Sequence, residues 1–417
     1  MYGSQKDIRH NLKMFVIDGI SFMPSVAFIS ITSVIPFFLD QLGATTFQIA
    51  LAATMTLVCA LLSQPLFGVI ASRSTVMNRT FGKILLLQRL TFLLFIFLIP
   101  LFSDQHALLV YLFLIFWAIF NVFAGSYTIF HTPLVIKLLP PDKRGAIRGV
   151  GHAIGSFIGV GMTALIPWLL LRFIFPYNFM LVFAFGLFFL FINAFVFFFM
   201  RQSKDVVPNE TMGLLKYIKE MPTSIKENAS FRAMILTCLF LAIANAVLPY
   251  YTLYAIRTFA ATEGDIATLT ALAILFGALA IVGFGYIADR RGPRIVAVIA
   301  ACFVIAAGLL ALTTHSLHFL FVAWVLANIS NSGFPIIVTL LLGEVSPTAK
   351  LPLYVGVQTT ISMAISTIIV LLLAPALEHI SFIPLFALVL VCGLLSLFAN
   401  LFILKKRLAK LRIEESV

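Results

Sequence analysis

The sequence predicts an all-α membrane protein of twelve transmembrane helices in two six-helix, pseudo-symmetric bundles. Composition predicts it first: of 417 residues, 61% are hydrophobic and only 11% charged, with a mean hydropathy of +1.09. A soluble domain carries roughly 25% charged residues, and a chain with 43 phenylalanines must use lipid as its solvent. Twelve apolar runs can then be separated, most of them reaching the roughly 20 residues that cross a hydrocarbon core. The third observation is that the basic residues fall almost wholly into alternate connections.

The runs lie at 14–38, 46–71, 84–102, 107–136, 146–171 and 176–200, then at 233–257, 265–288, 295–314, 317–343, 351–377 and 381–404. The longer ones have room to tilt. The first follows basic residues, as a signal peptide would, but its length and the lack of a small-residue cleavage site make it a retained span. Span five holds Gly145, Gly149, Gly151, Gly155, Gly159 and Gly161, and small residues four apart let helices approach closely. Span seven contains Pro249, which frees backbone groups in mid-membrane. Residues 201–232 form the longest polar stretch. The expected organisation is therefore an N-terminal bundle over 1–200, a cytoplasmic linker over 201–232 and a C-terminal bundle over 233–417. Within the linker, residues 212–221 alternate apolar and basic side chains at helical spacing, which predicts a short surface helix. A plain linker is the alternative.

A net charge of +12 raises the question of nucleic acid, and its distribution answers it. Of the 28 Lys and Arg, all except Arg89, Arg172 and Arg257 lie before the first run, after the last, or at even-numbered connections. By the positive-inside rule both termini are cytoplasmic, in a plasma or inner membrane, and no nucleic-acid partner is expected. Cys59, Cys238, Cys302 and Cys392 sit in separate spans with no zinc or disulfide spacing. Neither a nucleotide-binding loop nor a nucleophile–base arrangement is present. No cofactor, metal or enzymatic activity is expected.

Between spans eight and nine stands Gly285-Tyr286-Ile287-Ala288-Asp289-Arg290-Arg291-Gly292-Pro293-Arg294. The pattern G-x-x-x-D-R-x-G-x-R resembles the loop signature of the major facilitator superfamily of transporters, which repeats it at this place. Residues 140–149 are similar to that family's fourth-to-fifth connection, in bacterial, exporter-like members. The second loop departs from the pattern: it keeps Gly68 and Arg73 but has Ser72 where the family has aspartate. The halves echo each other faintly, with Pro141 aligning on Pro347. The resemblance implies alternating access around a midplane cavity. It also implies a cytoplasmic gate in which Asp289, with Gly285, Arg290, Gly292 and Arg294, approaches the start of span five near Arg144 and Arg148. The alternative is that these charges only mark topology.

Ionisable residues inside spans are functional candidates, because burying charge in lipid is costly. Asp18 reads either as a proton-coupling carboxylate or as an interfacial partner of Lys13 or Arg9. His131 is the second proton-coupling candidate, with a neutral hydrogen-bonded histidine as the alternative. Arg89 is expected to snorkel to the inner surface. Uncharged polar groups outline a cavity: Trp117, Asn121, Thr128 and His131 on span four, Asn245, Tyr250, Tyr251 and Tyr254 on span seven, Asn328 and Asn331 on span ten, and Gln358 on span eleven. For the asparagines, helix–helix hydrogen bonding is the alternative. The expected protein is a monomeric secondary transporter of a small organic solute, with protons as coupling ion and the lipid bilayer as surroundings. Drug or metabolite efflux is placed ahead of sugar-like uptake, and a lipid-moving or sensor protein of the same fold stays open.

Overall fold

A computed structural model describes residues 4–31, 34–203, 214–261, 263–347, 350–376, 381–404 and 406. Every regular element among them is helical, as lipid demands of segments that must satisfy their own backbone groups. Span one becomes α1 (Gln5–Phe28) and α2 (Val34–Gln41), and α3 (Thr46–Ser72) and α4 (Met77–Leu101) are spans two and three. Span four is α5 (His106–Ala124) with α6 (Ser126–Leu138), span five is α7 (Arg144–Thr163) with α8 (Leu165–Arg172), and span six is α9 (Tyr177–Phe199). Next comes α10 (Leu214–Glu227); Met212 and Gly213, where the predicted linker helix begins, lie outside the described residues. Span seven is α11 (Ala229–Ala246) with α12 (Leu248–Phe259). Then follow α13 (Glu263–Arg291), α14 (Pro293–Thr313), α15 (Leu317–Val345), α16 (Leu351–Ala376) and α17 (Ile383–Phe398), which ends in a π-helical stretch, Ala399–Leu404.

Ten helical segments among the described residues are long and apolar enough to cross a membrane. With α1 and α13, the helices of spans one and eight, they make the twelve-span architecture. Four of the runs read as single spans are interrupted, each for a local reason where one can be seen. At Gly125, between α5 and α6, a Cβ would collide with the Ser63 hydroxyl and the Ala60 carbonyl of α3. Between α11 and α12, Pro249 has no amide proton to continue the ladder, so α11 closes at Val247 and α12 starts anew.

Contacts divide the chain into two compact units, one of Met1–Pro140 and Val150–Tyr217, the other of Pro141–Gly149 and Ile218–Val417. In unit 1, α9 packs on α1 and α4, and α5 packs on α3 and α4. In unit 2, α17 packs on α11 and α14, and α15 packs on α13 and α14. Renumbered from the start of each unit, these are the same pairings of spans, as a parallel duplication produces. The two cores differ in kind. Unit 1 is filled by rings, among them Phe38, Phe92, Phe95, Phe113, Trp117, Phe179 and Phe183. In unit 2, α14 buries Ala297, Ala300, Ala301, Ala307 and Ala311, small residues that let helices approach closely. Large apolar side chains such as Leu62, Phe47 and Leu171 remain exposed, which in lipid costs nothing.

The start of α1 is tied down in two ways. Ser4 and Asp7 form a reciprocal capping box. Arg201 and Asn11 then exchange two hydrogen bonds of 2.9 Å, and a His10 ring nitrogen lies 2.8 Å from the Phe199 carbonyl.

Candidate functional site

Helices α1, α4, α6 and α9 bring five polar side chains into one buried chain inside unit 1. Asp18 Oδ2 lies 2.9 Å from His131 Nε2, and Asp18 Oδ1 accepts a 2.6 Å hydrogen bond from Asn193 Nδ2. The Asn193 oxygen accepts in turn from Arg89 Nη2 at 3.0 Å. Arg89 also donates to the Leu190 carbonyl at 3.2 Å and to Gln88 Oε1, while Gln88 Nε2 donates to the Phe120 carbonyl at 2.8 Å. Tyr127 stacks on the His131 ring with centroids 4.9 Å apart, and Phe15 meets it edge-on at 5.7 Å.

Two expectations are corrected by this network. Asp18 pairs with His131 rather than with Lys13 or Arg9, because it is 1% exposed and faces into the unit. Arg89 does not snorkel: it is also 1% exposed, and its donors are spent on neighbours that share its depth. Either charge buried alone would be expensive; placed at the two ends of one amide, each has a bonded partner. Gln88, Tyr127 and Asn193 were not singled out from sequence. Asn193 carried a readable signal, as the lone polar side chain in the Phe-rich run 179–199.

Other span-four candidates are engaged elsewhere in unit 1. The Trp117 indole donates to the Ala52 carbonyl at 3.0 Å and lies among Phe113 and Phe120. Asn121 donates to the Trp117 carbonyl at 2.8 Å, and Thr128 is half-buried three residues before His131.

In unit 2 the polar candidates divide by whether their atoms are satisfied. Asn328 donates to the Trp324 carbonyl at 3.0 Å, Tyr250 is buried, and Asn331 is exposed. Tyr254 lies in an aromatic patch, 5.0 Å from Phe382 and 5.1 Å from Phe386. Asn245 Nδ2, the Tyr251 hydroxyl, Ser330 Oγ and Gln358 Oε1 are buried with no hydrogen-bond partner among the described residues. Such atoms are rare in folded proteins and each calls for a reason. Ser330 was missed in the sequence, although it stands between the two asparagines that were named. Among the described residues no three His, Cys, Asp or Glu side chains gather closely enough to hold a metal ion.

The loop signature also folds within unit 2. Asp289 accepts from the Gly145 amide through Oδ1 and from the Ala146 amide through Oδ2, both at 2.7 Å. These amides open α7 and have no partner inside it, and a carboxylate there is favoured by the helix dipole. The backbones touch at Gly285 and Gly145, where a Cβ on Gly145 would lie 2.5 Å from the Gly285 carbonyl. Arg144 is buried, and Arg148 donates to the Thr339 hydroxyl and the Pro335 carbonyl. Arg290 covers the Tyr286 ring at 4.2 Å, and Arg294 donates to Asn400 Oδ1 at 3.2 Å. Gly292, at a φ of 85°, turns the chain into α14. In the second loop, Ser72 spends its hydroxyl on the Val69 carbonyl of its own helix at 2.8 Å.

Comparison with known proteins places this architecture. Residues 233–416 match the family model described as Major Facilitator Superfamily. A bacterial homologue of the iron transporter ferroportin, in its outward-facing state, aligns with a TM-score of 0.73 at 17% identity, covering 95% of this chain and 99% of that one. The E. coli fucose:proton symporter FucP aligns at 0.71 and 15% identity, covering 95% and 99%. The human organic anion transporter MFSD10 aligns at 0.72 and 13% identity, covering 94% and 99%. A sequence search of curated proteins returns no match. The helices and their repeated packing form a multi-span membrane fold that these solved transporters share. Residues 233–416 carry the match to the superfamily's model, and the chain as a whole has the fold of these solved transporters. At these identities the solved structures carry the fold and not the cargo.

Proposed function

We propose that the protein is a proton-coupled secondary transporter of a small, neutral or weakly charged organic solute, working by alternating access, with Asp18 and His131 exchanging the coupling proton. The buried 2.9 Å contact between Asp18 and His131 carries this reading. A proton on the imidazole is donated to the carboxylate, and a proton on the carboxyl is donated to the imidazole, so the contact survives a change in where the proton resides. Asn193 holds the other carboxylate oxygen and fixes the geometry. Solute recognition is assigned to unit 2, where the unsatisfied atoms of Asn245, Tyr251, Ser330 and Gln358 are all uncharged. Amides and hydroxyls beside the Tyr254 patch suit a solute with its own hydroxyl or amide groups and an apolar face. The fold is shared with fucose:proton and xylose:proton symporters, which supports proton coupling. Export is the proposed direction, on the resemblance of residues 140–149 to exporter-like members. The distribution of Lys and Arg supports a plasma or inner membrane location with both termini cytoplasmic, and the protein is taken to act as a monomer.

The test uses purified protein in proteoliposomes, with a solute first found by thermal-shift screening. Asp18→Asn is expected to abolish accumulation driven by an imposed pH gradient while leaving counterflow near the wild-type rate. Driven transport at the wild-type rate in that variant makes Asp18 structural and defeats the proposal.

A further inference from the structure

A second polar site lies at the start of α1, away from the buried network. Lys6 stands three residues before Arg9 and four before His10, and Lys13 stands four and three after them, so the four share one face of the helix. With Gln5, and with Arg201 just past the end of α9, they line one cavity of about 490 Å³. All of these residues belong to unit 1. Lys6, Arg9 and Lys13 are exposed and form no ion pair among the described residues. The nearby carboxylate of Asp7 is already committed: it bonds the Ser4 hydroxyl at 2.6 Å and Arg201 at 3.0 Å. Among the described residues the cavity therefore gathers Lys6, Arg9 and Lys13 with no carboxylate paired to them, and Arg201 with Asp7 alone.

Its surroundings indicate what supplies the anion. Arg201 lies two residues beyond α9, a helix long and apolar enough to cross a membrane. The outer face of α9 exposes Phe188, Ile192, Phe195 and Phe199, and Ile17 is exposed one turn beyond Lys13. Cations at the level where the apolar surface begins face the headgroup layer, and basic pockets at such places bind anionic headgroups. We propose that this cavity is a binding site for an anionic phospholipid, with the phosphate held by Lys6, Arg9, Lys13 and Arg201 and the acyl chains lying along α9. The site is independent of the transported solute and of the coupling pair.

Full-length protein in nanodiscs would be titrated with spin-labelled phosphatidylglycerol or phosphatidylcholine, and the motionally restricted fraction of each lipid compared. The wild type is expected to prefer phosphatidylglycerol. The double variant Lys6→Gln/Arg9→Gln should lose roughly fivefold of that preference per cation removed. Arg79→Gln/Lys83→Gln removes the same charge from exposed positions on α4 and should leave the preference intact. An equal loss in both double variants assigns the effect to general surface charge and overturns the site. No preference in the wild type overturns it too. Glycerol phosphate binding in detergent that depends on Lys6 and Arg9, without any lipid preference, makes the pocket a site for a soluble anion and overturns the lipid assignment. All four side chains are exposed, so thermal melting should show both variants folded.

Discussion

Asp18 and Arg89 carry opposite charges in one buried chain of side chains, yet each is bonded to the amide of Asn193 and not to the other. That arrangement makes the uncharged residue the sensitive one. Asn193→Leu keeps most of the volume but leaves a carboxylate oxygen and a guanidinium group each short of a partner. Each buried unsatisfied group costs about 1–3 kcal/mol, and more when charged. Thermal melting in detergent should therefore show a clear loss for Asn193→Leu and almost none for Asn331→Leu, whose side chain is exposed. Equal melting temperatures for the two variants would sink this account. Asp18, Arg89 and His131 each stood out in the sequence as ionisable groups in apolar runs. Their connection did not, because Asp18 and His131 are 113 positions apart and nothing in either run reports the other. The same blindness explains Arg89, where the length of an arginine suggests reach to the surface and only the neighbouring helix shows a partner within the interior.

At the scale of elements, hydropathy measures how long an apolar run is, but it does not detect where the helix inside it stops. The break at α11 was legible because Pro249 announces a missing donor. The break at Gly125 was not, because its cause is a tight approach to Ser63 and Ala60 on another helix. The end of α13 is a case where composition and geometry speak of the same residues: an acid in a basic loop, and a carboxylate on two open amides. On the gate proposal, removing that charge should loosen the start of α7. An anion at a helix N-terminus gains roughly 0.3–2 kcal/mol, so Asp289→Asn should speed hydrogen exchange at Gly145 and Ala146 between about twofold and thirtyfold. Ser72→Ala removes a hydroxyl bonded only within its own helix and should leave that exchange unchanged. Unaltered exchange in Asp289→Asn, or an equal change in Ser72→Ala, would count against an asymmetric gate.

For the whole molecule, the duplicated pairing of spans shows how little sequence likeness a repeat needs, since span three of one unit buries phenylalanines where its counterpart α14 buries alanines. What each core preserves is which spans touch, a property carried by length and connection rather than by residue identity. Orientation in the membrane is a separate matter and can be measured. In a cysteine-free background, Ser74→Cys should react with an impermeant thiol reagent only from the cytoplasmic side, and Asp104→Cys only from the outside. Reaction of Ser74→Cys in intact cells would reverse the proposed topology. The boundary between the two units adds a mechanical consequence. The chain passes from one to the other at 140/141, at 149/150 inside the unbroken helix α7, and at 217/218 inside α10. The first turns of α7, tied to Asp289 through Gly145 and Ala146, thus belong to one unit and the rest of the helix to the other. Gly149 and Gly151 flank the junction, and each is closely approached by neighbouring backbone, at Ile281 and at Val16. An engineer would recognise a splice: one continuous part with each end gripped in a different block.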